Sequence, residues 1–128
     1  MCRNGENAVY RVIFYKDRKG KEPVFEYIKE LAKRVDKNSR IKANKINDYI
    51  EYLARQGKQA GEPYVKHLDD EIWELRPIRD RILFATWDGR SFVLLHHFLK
   101  TTQKTPQREI DQAKRNLADY RERNKGNE

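Results

Sequence analysis

Three β-like runs, at 72–76, 81–87 and 91–99, stand almost end to end in this 128-residue chain. Each is rich in branched and aromatic side chains. Only Pro77-Ile78-Arg79-Asp80 separates the first two, and only Asp88-Gly89-Arg90 the second two. Parallel neighbours need a crossover of about a dozen residues or more, whereas Asp-Gly between apolar strands is a strong hairpin signal. The runs therefore predict an antiparallel meander whose faces the rest of the chain must cover.

The flanking segments have the patterns for that task. Residues 8–15 read as a first strand, apolar on both parities, which suits a strand inside the sheet or covered on both sides. After a charged turn at 16–20, Pro23 suits a first helical turn. Val24, Tyr27, Ile28 and Leu31 follow at the spacing of an amphipathic helix. A second helix is expected over about 40–55, with Asn38 or Ser39 as N-cap and Gly57 as its stop. Residues 56–63 form a loop, and a last helix spans roughly 107–121 with Ile110, Ala113, Leu117 and Tyr120 on one side. The polar tail at 121–128 is expected to fray. The order β-α-α-β-β-β-α predicts one α+β domain over 1–128 with its core at about 8–121. A helical hairpin should lie on one sheet face and the last helix on an edge or the other face.

Charge narrows the partners. The net charge is +8 and the pI about 9.6, a surplus that favours nucleic acid over a membrane surface. The alternative is an acidic protein partner. Cys2 is the sole cysteine, so neither an internal disulfide nor a cysteine-based zinc site is expected. No apolar run approaches the roughly 20 residues of a membrane span. The first residues lack the apolar core of a signal peptide, so a cytoplasmic location is the expectation.

Basic residues punctuate the meander and its flanks: Lys66, Arg76, Arg79, Arg81, Lys100 and Lys104 among them. There is no glycine-rich phosphate loop, GxSxG or HExxH. His96 and His97 are adjacent on a strand, point to opposite faces and should not share an ion, so no metal and no cofactor is expected. Cationic chemistry on phosphate remains. RNA carries its own nucleophile, the 2′-hydroxyl; cleavage needs in-line geometry, a proton acceptor, a donor to the 5′-oxygen and cations for the developing charge. Plainer readings stand beside this one. Arg76 and Arg81 also suit pairing with Glu74 and Asp80, Lys100 and Lys104 suit an ordinary solvated surface, and one of the two histidines suits the core. Trp73 and Trp87 suit the core better than base stacking.

Four pieces in order are more specific: 72–76 (Ile-Trp-Glu-Leu-Arg), 80–84 (Asp-Arg-Ile-Leu-Phe), 94–100 (Leu-Leu-His-His-Phe-Leu-Lys) and 102–106 (Thr-Gln-Lys-Thr-Pro). With the helical hairpin before them, they resemble the HigB-like, phage-related branch of the RelE/ParE toxin superfamily, from Tyr10 to about Tyr120. The resemblance implies a RelE-like fold and the toxin of a type II toxin–antitoxin pair that cleaves mRNA on the ribosome without a metal. It implies a helix-turn-helix, HigA-like antitoxin as partner, and operator DNA reached through it. Arg76, Arg81, His96 and Lys100 are carried over as catalytic, and Lys66, His97 and Lys104 as contacts to RNA or ribosome. Thr101 departs from the pattern where many relatives have a second lysine, and His97 where a small residue is common. A ParE-like inhibitor of DNA gyrase is the alternative activity, and a relative that only binds antitoxin and operator is a third.

Overall fold

A computed structural model describes residues 9–124 of the chain. Strand β1 spans Arg11–Phe14, helix α1 Pro23–Lys33 and helix α2 Lys37–Gln56, followed by a short 3-10 turn at Gly57–Ala60. Then come β2 (Val65–Asp69), β3 (Ile72–Leu75), β4 (Asp80–Trp87), β5 (Ser91–Leu99) and helix α3 (Gln107–Arg123). The five strands form one sheet in the order β1-β5-β4-β3-β2. β1 runs parallel to β5, and every other pairing is antiparallel. The α+β class and the meander are as expected, and β2 is an addition. It forms a hairpin with β3 through Asp70, whose φ is +47°. The expected first strand began at Ala8, which lies outside the described residues, as do Cys2 and the last four tail residues.

Two layers of helix sandwich the sheet. α1 begins at Pro23 and buries Val24, Ile28 and Leu31; α2 buries Ala43, Ile46, Ile50 and Leu53. Both pack with Val65, Leu75, Ile82, Phe84, Phe92 and Leu94 on one sheet face. The other face carries Ile72, Leu83, Val93 and Leu95 against Ala113 and Leu117 of α3. The last helix thus covers the second face, and β1 is an edge strand clad on both sides: Val12 and Phe14 meet the first cluster, Ile13 and Tyr15 the second. α2 starts three residues earlier than expected. Its N-cap is Asp36, whose carboxylate accepts the Ser39 N–H at 2.9 Å, so neither Asn38 nor Ser39 caps it. Gly57 ends the helix at φ +64°, where a Cβ would sit 2.6 Å from the Tyr10 ring. α3 runs two residues further than expected, through Arg123.

A bulge between β4 and β5 decides which side chains face which layer. Leu83 pairs with His96 and Phe84 with Leu94, leaving Leu95 as the extra residue. Its carbonyl accepts a hydrogen bond from Asn116 of α3 at 2.8 Å. Beyond the bulge the alternation is reset. His96 and Phe98 therefore lie on the α3 face, and His97 and Leu99 on the hairpin face.

Candidate functional site

Glu74 sits at the centre of a basic cleft. It lies on β3 opposite Lys66 of β2 and Leu83 of β4, and its side chain is only 3% exposed. Burying a carboxylate is costly unless donors and cations compensate it. Here Thr105 donates to it at 2.6 Å, the Arg76 Nε lies 3.5 Å away and the Arg81 Nε 3.9 Å away. Arg81 is itself buried, and its Nη1 donates to the carbonyls of Ile78 and Asp80 at 2.9 Å each. Burial lowers the Arg81 pKa from its ordinary value, with Glu74 opposing the shift; the guanidinium stays charged at any physiological pH.

Around this centre opens a cavity of about 580 Å³ on the α3 face of the sheet. Five of the seven expected site residues line it: Lys66, Arg76, Arg81, Lys100 and Lys104. They come from β2, the end of β3, β4 and the segment between β5 and α3. A contact set of that kind is assembled by the sheet, not by local sequence. Only Asp69 and Glu74 are acidic among the lining residues, so five cations against two carboxylates leave a surplus of three positive charges. Asp69 is further tied to Lys114 at 2.7 Å. Arg76 also reaches Glu62 at 3.8 Å.

The two histidines of β5 are not brought into the cleft. His96 is bonded to Glu109 in the first turn of α3, with Nε2 and Oε1 2.6 Å apart. That turn adjoins the cleft wall formed by Pro106, Gln107 and Ile110. His97 lies on the opposite face, stacked on Tyr27 at 3.6 Å between ring centroids, with its Nε2 3.0 Å from Asp80. Tyr27 donates to the same Asp80 oxygen at 2.7 Å, and Lys42 approaches it to 3.9 Å. Burial alone would raise the Asp80 carboxyl; the hydrogen bonds from His97 and Tyr27 and the charge of Lys42 outweigh it and hold the group below the usual carboxylate range. Burial, with the bond to Asp80, pushes the Tyr27 phenol up.

Sequence reasoning missed two contributors, Thr105 and the central place of Glu74; it anticipated the two arginines pairing with Glu74 and Asp80, not Glu74 between both. His67 borders the cleft from β2, but its ring lies on the hairpin face beside Trp73, 4.9 Å between centroids, and donates Nε2–H to the Asp70 carbonyl at 2.7 Å. Trp73 and Trp87 both pack in the core, Trp73 with Lys58 above its ring at 4.9 Å. Among the described residues no group of three His, Cys, Asp or Glu is placed to hold a metal ion, and no helix is long and apolar enough to cross a membrane.

The family profile of phage-derived Gp49-like proteins (DUF891) matches residues 26–118, a span that contains every residue of the cleft. No curated protein matches the chain. The chain belongs to the phage-derived Gp49-like family, a toxin-like family of toxin–antitoxin systems within the RelE/ParE-like toxin superfamily.

Proposed function

We propose that the chain is a type II toxin that cleaves translated mRNA on the ribosome by metal-free attack of a 2′-hydroxyl on the adjacent phosphate. The observation that supports this reading is the cleft itself, where five cations from β2, the end of β3, β4 and the segment after β5 gather around one buried carboxylate. In the proposed step the 2′-oxygen bonds to phosphorus and the 5′-oxygen leaves, giving a 2′,3′-cyclic phosphate and a 5′-hydroxyl end. Arg76 and Arg81 hold the phosphate oxygens and stabilise their developing charge, fixed in direction by Glu74. Lys100, with Lys66 or Lys104, adds neutralising charge. Water in the open cleft takes the 2′-hydroxyl proton, and Lys100 gives one to the leaving 5′-oxygen. His96 acts through Glu109 to hold the α3 wall, and His97 holds the opposite side of the sheet corner, so both are positioning residues in this scheme. An antitoxin of the helix-turn-helix, HigA-like kind is the proposed partner, with operator DNA reached through it and the cytoplasm as the place of action.

Brief expression followed by primer extension tests the reading. Discrete new 5′ ends within translated regions are expected. Arg76→Ala and Lys100→Ala should each relieve growth arrest with an unchanged circular dichroism spectrum, and each should slow cleavage by about 100-fold or more. Full toxicity in both variants, or DNA damage without RNA cuts, overturns it; the latter outcome marks a gyrase inhibitor.

A further inference from the structure

A second cavity, of about 320 Å³, opens at the same corner of the sheet. Ile78 and Leu99 give it an apolar floor, and Lys42, Arg79 and Lys100 supply cations around it. Its one acid, Asp80, is buried and already bonded to Tyr27 and His97. We propose that this pocket is a subsite for one nucleobase of single-stranded RNA, the neighbour of the nucleotide whose phosphate lies in the cleft. The proposal rests on the RNA-cleaving reading of that cleft.

Three observations carry it. First, Ile78 and Leu99 are 54% and 48% exposed, large apolar side chains left in water beside each other. Second, Ile78 is held at φ +55°, a region that branched side chains rarely occupy. The turn is pinned there: the Ile78 carbonyl accepts from Arg81, Asp80 N–H donates to Pro77, and Lys100 N–H donates to the Arg79 carbonyl at 2.8 Å. Glycine or asparagine would meet the turn's needs without strain; isoleucine adds an apolar surface aimed at solvent. Third, Lys100 lines both cavities. Arg81 and Phe98 share the cleft face, while Leu99 follows His97 on the hairpin face. A backbone crossing Lys100 would leave a phosphate on one face and deliver the next base to the other.

The chemistry of the pocket selects its occupant. A nucleobase is a flat apolar surface attached to an anionic chain, and it is gripped between apolar side chains while cations hold its phosphates. A small apolar floor inside a cationic rim fits that combination. An apolar side chain of a protein partner would match the floor and bring no anion for Arg79 and Lys100, whereas Lys42 already faces Asp80.

The test compares wild type, Ile78→Gly, Leu99→Ala and the double variant on ribosomes programmed with an mRNA that the wild type cuts. Each is also given the same mRNA with one abasic nucleotide placed in turn on either side of the cut. Glycine accepts the φ of residue 78, and Leu99 is half exposed, so thermal melting should confirm that the variants fold. At one abasic position the wild type should slow about 10-fold. The double variant should cut intact mRNA about 10-fold more slowly and be indifferent to that abasic position. Wild-type cutting rates in the variants, with Arg76→Ala still impaired, overturn the subsite and leave the cleft reading standing. Lost antitoxin binding with unchanged cutting overturns it in favour of a protein contact. No cutting by the wild type overturns both.

Discussion

Asp80 is almost fully buried at the start of β4, where it takes hydrogen bonds from Tyr27 and His97 and feels the charge of Lys42. Its carboxyl titrates below the usual range in the folded chain despite the cost of burial. A depressed folded pKa contributes stability that is present above the unfolded value of about 3.9 and is lost as pH falls through the folded value. Asp80→Asn should therefore melt below the wild type at pH 5 to 8, and the gap should close below about pH 4. A gap that persists unchanged to pH 3 in thermal melts would contradict this. Glu74, its counterpart on the other face, depends on the Thr105 hydroxyl. Thr105→Val keeps the shape and removes a donor to a buried carboxylate, and should cost about 1.5 to 3 kcal/mol in urea unfolding. It should also slow cleavage, because both arginines lean on Glu74. Stability lost without any loss of cutting would make Glu74 a purely structural anchor.

At the scale of elements, what a sequence shows depends on whether the signal is local. The meander was legible because its turns are short and Asp88-Gly89 takes positive φ at both residues, +52° and +74°. α1 was legible because Pro23 and the apolar spacing agree. β2 was missed because its five residues, Val-Lys-His-Leu-Asp, are half polar and its turn is Asp70-Glu71, a weak hairpin signal. The cap of α2 was misplaced by the choice between neighbouring polar residues. Asp36→Ala should then cost about 1 kcal/mol in thermal or urea unfolding, while Asn38→Ala, exposed inside the first turn, should stay within about 0.5 kcal/mol. Equal losses would return the cap to the later residue. The bulge at Leu95 is a tertiary choice, supported by Asn116 from α3, and nothing local announces it. That His96 and His97 face opposite ways followed from strand alternation alone. Which one meets α3 and which meets Tyr27 depended on the bulge. The cationic set was found through its resemblance to a family, but its convergence on Glu74 arises only once four strands are in register.

At the scale of the whole molecule, a two-faced sheet with a helix layer on each side leaves one corner, at the starts of β4 and α3 and the end of β5, where the layers do not meet. The cleft and the second cavity both open there, and Lys100 belongs to each. A net charge of +8 spread evenly would attract any polyanion with little preference for place. The surplus of three gathered in the cleft would instead make the proposed binding to RNA depend on particular cations, and salt reads out that dependence. For a single strand, log K falls with log salt at a slope of about −0.7 per phosphate neutralised. Lys66→Ala and Lys104→Ala, both on exposed lysines of the cleft, should each flatten the slope by about 0.7 in fluorescence titrations of labelled single-stranded RNA. Lys33→Ala, at the exposed end of α1, is the control and should leave the slope unchanged. If all three variants flatten it equally, the charge acts as a diffuse field and the cleft has no special hold on the backbone. If only the cleft lysines do, the corner where the layers part is where the RNA lies.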